Sequence, residues 1–206
     1  MSNFLDFTYD FPRRCIDVLQ LAEKPAHEGG REVTLLLMTA CTAFLVAFEH
    51  LHFDKGQAPS FRDPHIGSSR QQLKEVLDKS FLGSPFWLSH NPSSWAYGEI
   101  APGTWRDQVG SDFSNRRPVT KDRKVTSVLR IIRNALGHGN LATIGSEKIE
   151  HLVLGSTVTE GSQKFQYLCV TPQDFRVFLG NWFSFLEIQH ISQNDAIEVL
   201  GTVSPI

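Results

Sequence analysis

Apolar positions in the first fifty residues recur at helical spacing and then close into an almost unbroken run. Ile16, Leu19 and Leu21–Ala22 give residues 12–23 one apolar face. Pro12 suits a first helical position, and Pro25 with the Gly29–Gly30 pair ends the pattern. Residues 31–52 follow as a long second helix, apolar on nearly every side from Val33 to Phe48. A helix of that kind is covered from several directions, by its own bundle and by a second subunit. Its sixteen-residue apolar stretch is shorter than the roughly 20 residues a bilayer crossing needs, so the pattern predicts a buried central helix and no membrane span.

A third helix runs from Ser68 or Ser69 to about residue 82, with Leu73, Val76, Leu77 and Phe81 inward and Gly83 and Pro85 as its stop. The spacing predicts a fourth over residues 120–138. Thr120 is its expected N-cap, and Val125, Val128, Leu129, Ile132 and Leu136 form its apolar stripe. Between these two helices, residues 83–118 read as a long irregular loop rich in proline, glycine and tryptophan. Trp87, Trp95 and Trp105 either pack this loop onto the bundle or stack on unpaired bases. Residues 149–170 switch to period two, which predicts a β-hairpin turning at Glu160-Gly161-Ser162. Thr171-Pro172 opens a last helix to about residue 191, and the tail 192–206 is loose or adds a short strand. The expected architecture is one domain over residues 1–206, mainly α, a bundle of about five helices with a β-hairpin inserted near residues 149–170.

Composition narrows the function classes. The net charge of −2 over 206 residues excludes a polycation that coats nucleic acid, so any such site comes from local clusters of Arg and Lys. Cys15, Cys41 and Cys169 are far apart, odd in number and set in apolar contexts. They read as reduced, buried thiols, and the N-terminus lacks the pattern of a secretory signal. Both features point to the cytoplasm. His50 and His52 fall on nearly opposite sides of a helix and do not chelate together, so neither a metal nor another cofactor is expected. Phosphate-loop, dinucleotide and nucleophile-elbow motifs are missing from the sequence.

The chemistry concentrates in Arg133-Asn134-Ala135-Leu136-Gly137-His138-Gly139-Asn140. An imidazole titrates near neutrality and moves protons. A guanidinium holds two phosphate oxygens as charge builds on them. RNA supplies its own nucleophile, the 2′-hydroxyl, so Arg and His are a minimal kit for metal-free cleavage. The spacing alone is weak; the adjacent Asn134, the amphipathic helix and the glycines flanking His138 raise its weight. Residues five apart on a straight helix lie about 140° from each other. His138 is therefore expected either to sit where the helix frays and turn back toward Arg133, or to meet the Arg of a second chain.

With its Arg, adjacent polar residue and following His, the segment Arg130 to Asn140 resembles the signature of the HEPN superfamily. That resemblance implies a helical bundle paired as a homodimer. It also implies either of two activities: a metal-independent endoribonuclease in a toxin or phage-defence setting, or a non-catalytic module that binds RNA, a nucleotide or a protein partner. On the first, Arg133, Asn134 and His138 are the catalytic set, with His138 as general acid or base, Arg133 stabilising the transition state, and Asn134 orienting the His or binding phosphate. Arg130, Asn140, Arg116 and Arg117 are the expected RNA-binding residues. The expected partners are the RNA, a second copy, and an antitoxin or other regulatory protein.

Overall fold

The structure is a computed structural model; it describes residues 7–52, 67–87, 95–101, 105, 107, 116–119, 122–158 and 164–201. Helix α1 spans Phe7–Glu28, starting before and ending after the stretch its apolar spacing marks, because Pro12 and Pro25 are carried inside it. The long apolar segment folds as α2 (Glu32–Thr39), a π-helical turn (Ala40–Phe44) and α3 (Leu45–His52). Glu32–Glu49 has the length and hydropathy of a weak membrane candidate. Here, however, Val33, Leu36, Ala40, Ala43, Phe44, Ala47 and Phe48 are buried in the protein's own core.

Helix α4 (Gly67–Leu77) is followed by a 3₁₀ turn at Phe81–Gly83. Helix α5 (Val125–His138) carries the motif, and its expected apolar stripe is fully buried. It begins at Val125, later than its spacing suggests; Thr120 and the Glu160–Ser162 turn lie outside the described residues. Helix α6 (Pro172–Gly201) continues through most of the expected tail. The Asp174 N–H donates to Thr171 Oγ1 at 3.1 Å and the Thr171 hydroxyl donates to the Asp174 carboxylate. Caps of this kind contribute about 1 kcal/mol.

The mainly α expectation is overturned by a five-stranded antiparallel sheet, which makes this a mixed α and β fold. Its strands are β1 (Trp95–Ile100), β2 (Arg117–Pro118), β3 (Leu141–Ile144), β4 (His151–Thr157) and β5 (Phe165–Val170), in the order β2-β1-β5-β4-β3. The expected hairpin is present as β4–β5, with Leu154 opposite Leu168. Strand β1, inside the segment expected to be irregular, pairs along all of β5, with Tyr97 opposite Leu168. Its period is masked because it is buried on both faces, and because Gly98 leaves room for the Tyr167 ring, which a Cβ there would strike at 2.2 Å.

The sheet divides the interior. On its inner face, Trp95, Leu152, Leu154, Leu168 and Val170 join the helices in one large core. Aromatic edges knit that core, with Phe44 and Trp182 centroids 5.0 Å apart and Trp95 and Phe178 5.7 Å apart. On the outer face, Ala96, Val153, Phe165, Tyr167 and Cys169 pack with Trp105, whose ring stacks on Phe165 at 4.8 Å. Trp95 and Trp105 are thus core residues, and Trp87 packs edge-on against Phe81; of the two readings of these tryptophans, the structure takes packing. Cys169 is buried as expected, whereas Cys15 and Cys41 are half-exposed.

Candidate functional site

Helix α5 rests on β4 and β5 and against α3. Its buried face turns Arg130, Arg133, Asn134, Gly137 and His138 into a polar stripe on the opposite side. The helix does not fray at His138. It stays helical through that residue and stops at Gly139, whose left-handed φ of 66° suits glycine. The Asn140 N–H then returns to the Ala135 carbonyl at 3.0 Å.

Arg133 and Asn134 are brought together. The Arg133 Nε donates to the carboxylate of Glu49 on α3, and its Nη1 donates to Asn134 Oδ1 at 2.9 Å. The Asn134 Nδ2 donates to Ser156 Oγ on β4 at 2.8 Å, and the Ser156 hydroxyl donates to the Thr157 carbonyl at 2.9 Å. Donor and acceptor alternate without conflict from α3 through α5 to β4. Ser156 is only 2% exposed, so this relay is fixed at its inner end. A guanidinium has five N–H donors. Two are used here, leaving three on Arg133 among the described residues.

His138 is exposed on the last turn and shares no hydrogen bond with Arg133 among the described residues. The two flank the stripe on either side, as the helix geometry requires. Arg130 is exposed at its middle. Asn140 is half-buried and uses its backbone twice, its carbonyl accepting from the Gly155 N–H at 2.9 Å. Arg117 is exposed on the edge strand β2.

Arg116 stands apart from the others. Its Nη1 donates to Cys169 Sγ at 3.4 Å, on the outer face of the sheet and across it from the motif. Burial pushes the Cys169 thiol up, and burial together with the Arg116 charge pushes the His151 imidazole down. Sequence reasoning missed Glu49 and Ser156. Glu49 ends an apolar run, where a carboxylate reads as a boundary. Ser156 is the one hydroxyl at an inward position after Leu152 and Leu154, and that break in the alternation was its only signal.

Among the described residues, no three His, Cys, Asp or Glu side chains gather closely enough to hold a metal ion. No curated protein and no solved structure matches the chain. A family model described as HEPN pEK499 p136 matches residues 1–193, a span that contains the whole sheet, α5 and its motif. With that match over nearly its full length, the chain belongs to the HEPN pEK499 p136 family.

Proposed function

We propose that this protein is a metal-independent endoribonuclease, acting as a homodimer with its site at the end of α5. The observation that carries this reading is the setting of Arg133. Glu49 and Asn134 grip two sides of its guanidinium and leave the remaining donors for a ligand. A planar cation held this way meets two phosphate oxygens in one fixed orientation.

In the reaction the RNA 2′-hydroxyl attacks the adjacent phosphorus. The P–O2′ bond forms, the P–O5′ bond breaks, and the products are a cyclic phosphate and a 5′-hydroxyl. His138 takes the proton from the 2′-oxygen or gives one to the leaving 5′-oxygen, and water handles the other proton. Arg133 stabilises the charge on the non-bridging oxygens. Asn134 positions Arg133, and Arg130 meets a neighbouring phosphate on the same stripe. Because Arg133 and His138 flank the helix, the pairing that completes the site is Arg133 with the partner's His138 across a dimer axis. A cytoplasmic toxin or defence role, held in check by a regulatory protein, belongs to the same proposal.

The second reading is a HEPN module that binds RNA, a nucleotide or a protein without cleaving. It is favoured by Glu49, whose carboxylate already neutralises Arg133. Incubating the purified chain with RNA in EDTA separates the two. Cleavage in EDTA, lost in a folded His138→Ala variant and accompanied by a light-scattering mass of two chains, is the expected result. Cleavage that needs magnesium, or that survives His138→Ala, refutes the mechanism. Retention of intact RNA by the wild type favours the binding module.

A further inference from the structure

The two edges of the sheet are unequal. Strand β2, at one edge, is two residues long and consists of an arginine and a proline. Charge, proline and brevity are the usual guards against pairing with another chain. Strand β3, at the other edge, is Leu141-Ala142-Thr143-Ile144 and carries none of these guards beyond its shortness.

The register shows which of its amides are open. Gly155 N–H donates to Asn140 O, so this is a hydrogen-bonded pair of the β3–β4 ladder. Antiparallel pairs alternate. Ala142 and Ile144 therefore turn their backbone groups to β4, and on that side the Ile144 carbonyl also accepts from Glu150 N–H, in the turn just before β4, at 2.7 Å. Leu141 and Thr143 turn theirs outward, to the side on which no further strand pairs with β3 among the described residues.

Charge along this edge is polarised. Its Leu141 end follows His138 by three residues, and the stripe there also bears the exposed Arg130 and, paired with Glu49, Arg133. Its Ile144 end runs into an exposed turn containing Glu147 and Glu150 with a single Lys148. A strand added antiparallel to β3 would finish beside His138 and start beside those carboxylates. The backbone groups call for a peptide, and the polarity calls for acidic residues at its C-terminal end.

We infer that the edge of β3 is the docking site of a protein partner, which adds one extended strand ending in acidic residues over the Arg133–His138 stripe. Main-chain bonds hold the strand, and its carboxylates occupy the cationic ground where RNA phosphates would lie. The partner is thereby an inhibitor of RNA binding. That consequence rests on the ribonuclease reading above, whereas the docking itself does not.

The test uses the full chain and a fluorescent synthetic peptide, a Val-Thr repeat followed by C-terminal glutamates, with anisotropy as the readout. The expected result is saturable binding. It should weaken by about tenfold when the peptide amides on one edge are N-methylated, and by a similar factor in Thr143→Lys. Moving the glutamates to the N-terminal end should also weaken it. Absence of binding, or equal binding by the methylated peptide, overturns strand addition. Equal binding by the reversed-charge peptide overturns the acidic partner. If Thr143→Lys instead converts a dimer to single chains, the edge belongs to a second copy and the inference falls. Because the readout is binding, loss of the cleavage reading would leave this result standing on its own, and failure to bind would leave the cleavage assay untouched.

Discussion

The bond from Asn134 Nδ2 to Ser156 Oγ ties the motif helix to β4, and its contribution can be isolated. Asn134→Ala removes two hydrogen bonds, at 2.9 Å to Arg133 and 2.8 Å to Ser156. Each contributes about 0.5–1.5 kcal/mol net. Alanine returns roughly 0.6 kcal/mol of helix propensity, so the single variant should lose only about 0.4–2.4 kcal/mol. That offset would obscure the bond in a single substitution. It cancels in a cycle with Ser156→Ala, because the propensity gain appears on both parallel edges. We expect a coupling of about 1 kcal/mol between Asn134 and Ser156. Urea unfolding followed by tryptophan fluorescence supplies the four free energies. Additivity within about 0.3 kcal/mol would show that the relay does not anchor the helix, and the argument for a fixed Arg133 would fail with it.

Arg133→Lys should stay folded yet lose cleavage by about 10²-fold or more, since an ammonium cannot reach Glu49, Asn134 and two phosphate oxygens together; near-wild-type rates in a single-turnover assay would refute this. His151 is held below its ordinary 6.5 chiefly by burial and next by Arg116. The fold favours its neutral ring, so its contribution to stability is complete above that value and is lost as pH falls below it. The urea midpoint of the wild type should therefore drop between about pH 7 and pH 5 more than that of His151→Asn, and parallel curves would refute the assignment. Cys169, buried and with its thiol pushed up, should be the last of the three cysteines alkylated in the native protein, and early labelling by mass spectrometry would contradict its place under Trp105.

The α5 motif and its buried stripe were legible because a helix packed on one side writes its period into the sequence. The β4–β5 hairpin was legible in its alternation. The rest of the sheet was not, for two reasons. Strand β1 is covered on both faces, so Trp95, Ala96 and Gly98 are all buried and no alternation survives. Strand β3 has four residues, too few to show a period. Of the site, the residues on α5 could be read from their spacing, but partners that arrive from other elements could not. Glu49 meets Arg133 across 84 positions of chain, and Ser156 meets Asn134 across 22. Arg116 shows the converse: its charge suggested the site, and the sheet places it on the other side.

The partition of the interior by the sheet gives the protein two optical addresses. Trp95 and Trp182 lie in the large inner core among phenylalanines, while Trp105 sits alone against Phe165 on the far side. The outer layer is a patch of a few side chains, and thin layers open at lower free energy than the cores they cover. A variant keeping only Trp105 would report the opening of that layer, and one keeping only Trp95 and Trp182 would stay silent through it. Amide exchange in β4 and β5 would follow the inner signal, since their ladder bonds are sealed from the helical side. The layer that carries Arg116 could thus breathe, vary or accept a label without moving the helix end where Arg133 is held.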